Sequence, residues 1–386
     1  MTKNIITTAL VSLCIGTSSF AQSTKNSNVH IGFAYPISTN GTHAAEYTNN
    51  ASFHAISGVS YSEKGFCASG IASLIKDSAT GFVGSGIANI IGNKANGMQA
   101  AGFINYTKNQ SKGLQAAGFI NLSGEVIGAQ TAGFANITMG NVNGLQAAGF
   151  VNTAANATVQ LAGFINLVDS STAQVAGFIN ISNKVEGTQV AGFTNVANVV
   201  EGSQVAGFIN VAHKVKGAQI SGFINIADSS DYPIGLINII KNGEKAAGVM
   251  VDETGTTFLT FRSGGRILYG IVGMGYNGSR GRDIFATQAG MGAHLPISRS
   301  FRINGEATAT SLADFRRTAD LEAAIKVMPA YKVWKLEIFA GPSFNYAMSP
   351  GLFGAPFDHH SLWTEKSYDR THDFYIGAQA GVQLHF

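Results

Sequence analysis

A short unit repeated in tandem leaves this chain few ways to fold. A glycine followed by an apolar residue recurs at Gly70, Gly86, Gly102, Gly118, Gly133, Gly149, Gly163, Gly177, Gly192, Gly207, Gly222 and Gly235, at spacings of 13 to 16 residues. The apolar residue is Ile71 and Ile87, then phenylalanine from Phe103 to Phe223, and finally Leu236. Three residues after the glycines stand Asn89, Asn105, Asn121, Asn136, Asn152, Asn166, Asn180, Asn195, Asn210, Asn225 and Asn238, with Ser73 in the first unit. Three residues before them stand Gln99, Gln115, Gln130, Gln146, Gln160, Gln174, Gln189, Gln204 and Gln219. The unit reads G-x-Q-x-x-G-F-x-N and is followed by a short variable stretch.

Physics separates the structures that could use it. A helical repeat needs about twice this length, and glycine with β-branched residues weakens helices. An antiparallel meander would present one directional motif in two registers. A β-solenoid gives each unit the same orientation and stacks identical residues about 4.8 Å apart, so Asn and Gln amides form ladders and Phe rings fill the space between them. Within Gly113 to Leu122, the residues Leu114, Ala116, Gly118, Ile120 and Leu122 alternate with Gln115, Ala117, Phe119 and Asn121, giving one aliphatic side and one mixed side. The Ala-Gly centre permits a tight corner, and a glycine five residues earlier (Gly81, Gly97, Gly113, Gly128, Gly144) marks a second bend. Thr158, Thr172 and Ser230 interrupt that second mark. Variable turns such as Ser182-Asn183-Lys184 and Ala212-His213-Lys214 then line one side.

Residues 65 to 240 resemble the short surface-repeat family of spirochaete and Bacteroidetes envelope proteins, on units such as Gly-Leu-Gln-Ala-Ala-Gly-Phe-Ile-Asn at Gly113 to Asn121. The resemblance implies an envelope or surface location and brings no catalytic residues. The Leu or Val usual after the motif glycine is mostly Phe here, a departure that bears on packing.

The chain opens Met1-Thr2-Lys3-Asn4, continues apolar from Ile5 to Ile15, and reaches Ser19 and Ala21 at the spacing of a signal-peptidase site. Residues 1–21 are therefore expected to be a secretory signal peptide, and Leu13 before Cys14 argues against lipidation. Removal of Cys14 would leave Cys67 alone, so packing and backbone hydrogen bonds must hold the mature chain. Only 12% of residues are charged, half the soluble norm, and the net charge of +3 excludes a nucleic-acid surface. No later apolar stretch suits a transmembrane helix, so a membrane span would be made of strands.

After about Gly255 the repeat gives way to longer alternating segments. Phe374, Ile376, Ala378, Ala380, Val382, Leu384 and Phe386 share one face, and the ending Val382, Leu384, Phe386 resembles the assembly signal of bacterial outer-membrane barrels. Upstream, Phe301, Ile303, Ala307 and Ala309 oppose Arg302, Asn304, Glu306, Thr308 and Thr310, and Leu321, Ala323, Ile325 and Val327 oppose Glu322 and Lys326. Trp334, Leu336, Ile338 and Ala340 oppose Lys335 and Glu337. Apolar-out, charged-in alternation suits a lipid-facing barrel whose interior holds Arg302, Glu306, Glu322, Lys326, Lys335 and Glu337. A soluble sandwich with one wet face is the rival fold.

The expected architecture is all-β: a solenoid of about twelve ~15-residue coils joined to a small antiparallel barrel of about eight strands. The segments are 22–64 (N-terminal strands of the barrel and solenoid cap), 65–254 (solenoid) and 255–386 (barrel). Short turns near Pro296 and Ala330 and a long loop from Ala347 to Asp373 orient six strands from Arg266 onward. If Thr256 to Arg262 is a barrel strand, Val29 to Ile37 completes eight and the solenoid lies outside the cell, the arrangement favoured by the short Gly264-Gly265 turn. If Thr256 to Arg262 belongs to the solenoid, Val29 to Ile37 and Phe53 to Tyr61 both join the barrel and the solenoid is periplasmic.

Catalytic signals are weak. Gly273-Met274-Gly275-Tyr276-Asn277-Gly278 fits G-x-G-x-x-G but precedes no helix pattern. Asp358-His359-His360 and His372-Asp373 lack a third ligand at a fixed spacing, and no nucleophile elbow is present. The expectation is thus a non-enzymatic, cofactor-free envelope protein with a structural or adhesive role. Its partners would be outer-membrane lipid, the barrel-assembly machinery and an unidentified surface or envelope partner, with no nucleic acid. The alternatives are a periplasmic scaffold and a pore whose membrane strands are the repeats themselves.

Overall fold

The computed structural model describes residues 25–278, 283–313, 319–350, 361–367 and 370–386. The expected signal peptide and the Asp358-His359-His360 cluster lie outside them. The chain divides into two compact units, Met1–Asn109 and Gln110–Phe386.

In the first unit the chain coils in one sense and every long pairing is parallel. Lys25–Ala34 pairs with Tyr47–Ser60, which pairs with Ser62–Ser69 and Ala72–Ile75, and the stacking continues to Asn105 opposite Asn89. Inside these coils Cys67, Ile75, Ala79, Val83, Ile91 and Ala95 form an aliphatic core. The coiling thus begins at Lys25, before the first motif glycine. This corrects the assignment of Val29 to Ile37 and Phe53 to Tyr61 to the barrel: both pair side by side in the parallel sheet. The outer edge of the first strand is partly covered by the short strand Ile37–Ser38 and the 3-10 turn Gly41–Glu46, a device that blunts an otherwise open edge.

The second unit is also a parallel coil at first and then changes architecture. Successive units stack in strict register, with Asn121 opposite Asn136, Asn152 opposite Asn166 and Asn180 opposite Asn195. A meander or a membrane barrel would need antiparallel neighbours, so the repeats are not membrane strands and the large-pore alternative is excluded. Two glycines in each of the earlier coils are demanded by geometry. A Cβ at Gly133 or Gly149 would strike the carbonyl of the motif glycine one coil below. At the second bend Gly113, Gly128 and Gly144 adopt φ of 112°, 124° and 144°, which disfavours any L side chain. Where Thr158 replaces that glycine the bend is shortened, and the register slips between Val142 and Leu145.

The aliphatic side of the unit faces outward. Gln115, Asn121, Ser123, Val126 and Gln130 point in, while Ile120, Leu122 and the Phe row stand half-exposed. The interior is narrow, and the slim amides share it with small aliphatic residues: Val126, Val142, Ala157 and Val168 in one cluster, and Val185, Ala197, Val200, Ala212 and Val215 in another. The rings therefore do not fill the core as the sequence suggested. They stack along an outer corner, at centroid separations of 4.8 to 5.1 Å from Phe119 through Phe223.

From Lys245 the chain builds a closed antiparallel barrel of eight strands: Lys245–Val251, Thr257–Gly264, Leu268–Asn277, Ile284–Pro296, Phe301–Ala313, Asp320–Val333, Leu336–Pro350 and Arg370–His385. Closure is by Val249 against Val382 and its neighbours, pairing the first strand with the last. The eighth strand is therefore Lys245–Val251, a barrel strand and not a solenoid coil, and the solenoid ends at about residue 244 instead of the expected 254. The outer wall is apolar, with Leu259, Met274, Ile325, Ile338, Ile376 and Leu384 exposed. The inner wall alternates with it and is buried.

Candidate functional site

Three arrangements could carry function, and each follows from the coil and barrel geometry. The first is the pair of amide ladders. Because each coil repeats the last at one strand spacing, every motif Asn and Gln meets its own copy. Asn121 Nδ2 donates to Asn136 Oδ1 at 2.9 Å, and the chain of donors runs on through Asn152, Asn166, Asn180, Asn195, Asn210 and Asn225 to Asn238 at 2.8–3.0 Å. In the first unit Asn89 donates to Asn105 at 2.9 Å. The second amide hydrogen bonds a backbone carbonyl, as Asn180 does with Val190 at 2.7 Å. The Gln ladder runs with the opposite polarity: Gln130 donates to Gln115, Gln146 to Gln130, Gln174 to Gln160 and Gln204 to Gln189, at 2.7–3.0 Å.

These side chains have no measurable exposure, so they offer no surface for ice or sugar; they are the core. The ends of the ladders behave as this logic requires. Asn89 Oδ1 lacks a partner because Ser73 is too short to reach it, and Gln219 Oε1 lacks one because Pro233 occupies the next position and has no side-chain amide to donate.

The second arrangement is the barrel lumen. Arg262 grips Glu306 through Nε and Nη2 at 2.7 and 3.3 Å, and the Tyr269 hydroxyl donates to the same carboxylate at 2.9 Å. Arg302 binds Glu337 and reaches Glu244 at 2.8 Å, while Asn304 and His385 both contact Glu337 at 2.8 Å. Glu322 accepts from Tyr375 at 3.0 Å. Of the six residues expected inside, the structure brings Arg302, Glu306, Glu322, Lys326 and Glu337 into the lumen. Lys335 is not there: it lies in the exposed turn between the sixth and seventh strands, with its ammonium 5.6 Å from the Trp334 ring centroid. The alternation that placed it inward breaks at the turn, where the two-residue period lapses. An apolar layer of Met250, Phe258, Met328 and Phe339 fills another part of the lumen. The interior is packed with its own side chains.

The third arrangement, absent from the sequence reading, is the junction. Ser263 and Gly270 face each other across the second and third barrel strands, and both point outward. Ser263 is nevertheless buried, because the last solenoid coil sits against it. Asn238 Nδ2 donates to the Ser263 carbonyl at 3.1 Å, and the Asn238 N–H donates to the Ser263 hydroxyl at 2.9 Å, so the barrel wall terminates the Asn ladder. Gly270 lies directly against the Gly235 and Leu236 carbonyls, as each motif glycine lies against the one before it. No periodic signal in the sequence marks these two residues.

Among the described residues, the buried titratable groups of the solenoid lie in the first unit. His54 Nε2 and His30 Nδ1 are 3.2 Å apart, and Glu63 accepts from Asn49 at 3.0 Å and Ser52 at 2.8 Å. Burial and the neighbouring His30 hold the His54 imidazole down at about 4, while burial raises the Glu63 carboxyl. Burial also pushes the Cys67 thiol up to about 12, which leaves it unreactive. Among the described residues no three His, Cys, Asp or Glu side chains are grouped to hold a metal ion. His372 pairs with the Tyr346 hydroxyl at 2.7 Å, and Asp373 accepts from Thr364 at 2.6 Å. The G-x-G-x-x-G stretch forms the end of the third barrel strand.

No known protein family matches the chain, and no curated protein matches it. One solved structure, reported as "De novo design of transmembrane beta-barrels", aligns with 37% of this chain and 93% of its own at 14% identity and a TM-score of 0.23. That score is too low to bear on the argument, which rests on the geometry above.

Proposed function

We propose that this chain is a non-enzymatic outer-membrane protein in which the barrel is an anchor and the solenoid a periplasmic scaffold. The observation that carries the proposal is the closed eight-stranded barrel with an apolar outer wall and a filled interior. An outer wall of exposed Leu, Ile, Met and Val suits hydrocarbon, and a lumen occupied by Arg–Glu pairs and an apolar layer favours an anchor over a pore.

Turn lengths support the periplasmic side. Residues 265–267, 297–300 and 334–335 connect strands at one end, and 252–256, 278–283, 314–319 and 351–369 at the other. Short turns mark the periplasmic end of outer-membrane barrels. The chain enters its first barrel strand at Lys245, opposite Ser263, and so arrives at the short-turn end. Surface display depended on Val29 to Ile37 as the eighth strand; with Lys245–Val251 in that place, the parity favours the periplasm and a scaffolding role over adhesion.

An epitope inserted at Asn183-Lys184 tests this. Antibody labelling is expected only after the outer membrane is permeabilised. Labelling of intact cells would overturn the periplasmic placement and restore surface display.

A further inference from the structure

The way the solenoid joins the barrel sets the direction in which it runs. Its last coil packs on outward-facing Ser263 and Gly270, so the coils stack away from the barrel's outer wall and not from its mouth. If the wall faces lipid, a stack leaving it sideways runs along the membrane. The contacts also fix which part of the coil is set deepest. The corner residues Gly235 and Leu236 meet Gly270, up the third barrel strand, whereas Pro233, two residues before the corner, meets Gly265 in the turn at the rim. The Gly-Phe corner therefore points toward the middle of the membrane.

That corner carries no charge. Every Asp, Glu and Lys from Gly113 to Ile240 falls six, seven or nine positions after a motif glycine, on the opposite side of the coil. The corner itself is the stacked Phe row, flanked by one aliphatic row that includes Leu161, Val175 and Val190 and another that includes Leu167, Ile181 and Ile226. Each of these six keeps 37–43% of its surface in solvent. Together the rows expose on the order of 1,000 Å² of apolar surface, beyond the few hundred Å² usual for the largest patch of a soluble monomer.

We infer that the Phe-lined corner of the solenoid lies in the lipid leaflet beside the barrel, with the charged turns facing water, making the second unit's solenoid a membrane-parallel amphipathic element. The occupant is lipid because the corner is continuous with the apolar wall to which the last coil is fixed, and because charge is excluded from the whole length of one side. This rests on the barrel spanning the membrane, and the test separates the two.

Full-length protein with Cys14 and Cys67 replaced by Ser is folded into phosphatidylcholine vesicles and carries one spin label at a time. The labelled variants are Phe193→Cys on the corner, Asn183→Cys on the charged side and Ile325→Cys on the barrel's outer wall. Collision with oxygen reports lipid, and collision with a water-soluble nickel chelate reports solvent. The expected result is an oxygen-to-nickel ratio at residue 193 several-fold above that at 183 and close to that at 325, repeated with Val190→Cys. Nickel access at 193 equal to that at 183, with 325 still lipid-like, overturns the inference alone. Nickel access at 325 overturns the membrane barrel itself. Shielding of 193 from both reagents with dipolar broadening assigns the corner to a second copy of the chain and also overturns the inference.

Discussion

Replacing Asn180 with Ala cuts the Asn ladder at its middle. Asn180 accepts from Asn166 at 2.9 Å and donates to Val190 O at 2.7 Å and to Asn195 Oδ1 at 2.9 Å. The substitution leaves two buried acceptors, Val190 O and Asn195 Oδ1, without this donor. Asn166 retains Val175 O at 2.7 Å and Gln160 O at 3.3 Å. At about 1–3 kcal/mol for each orphaned buried group, the cost is about 3–5 kcal/mol, added to a small cavity. Because coils contact only their neighbours, the loss should be local. Hydrogen exchange read by mass spectrometry would show protection falling by about two to four orders of magnitude between residues 165 and 211, with little change in the barrel strands. Asn183→Ala, at an exposed strand position three residues away, should change protection by less than threefold. A cost below about 1 kcal/mol for Asn180→Ala would refute the claim that the amide ladder is the structural core.

Arg302→Met takes the guanidinium from buried Glu337, which then keeps only Asn304 and His385, and should destabilise the barrel by about 3 kcal/mol, seen as a lower temperature for loss of the fast-migrating folded band on a gel; adding Glu337→Gln should recover part of it. Gly270→Val drives a side chain into the Gly235 and Leu236 carbonyls, so exchange should accelerate at residues 233–240 while the barrel band keeps its melting temperature. In the first unit, His54 is held at about 4 against 6.5 when unfolded, so the unfolded chain binds more protons in that window. Stability of the N-terminal coils should then fall as pH drops from 6.5 toward 4, by roughly 3 kcal/mol from this group. Glu63, raised by burial, opposes it, since its favourable contribution is present at low pH and lost as pH rises through its folded value. His54→Asn should remove the acid-side loss in exchange measured over residues 47–60, and an unaltered pH profile in that variant would contradict the assignment.

The repeat was legible because stacking turns sequence period into spatial period: the spacing of Asn121, Asn136 and Asn152 is the register of the coils. The barrel walls were legible for the same reason at period two, in Arg302 to Thr310 and in the last strand. What the sequence concealed depends on which side of a strand meets a partner. Alternation in Gly113 to Leu122 separates two faces but does not say which is inside, and hydrophobicity pointed the wrong way. The interior is so thin that amides, which satisfy each other through identical neighbours, fill it better than leucine or phenylalanine could.

The eighth strand was hidden by a different cause. Lys245–Val251 follows the last coil after only residues 241–244, and its Lys-Ala-Ala-Gly-Val-Met-Val pattern carries glycine and alanine as a repeat unit does. Only its partners distinguish it, Val249 lying between Leu259 and Val382 in an antiparallel sheet. Strand parity rests on this one short segment, and the proposed periplasmic placement rests on parity. The observed closure fixes the solenoid to the barrel at the residues that cap its open edge. Edge protection and anchoring are thus one contact: the unpaired end of a parallel stack, which would otherwise recruit another chain, is spent on the outer wall of the barrel at Ser263 and Gly270.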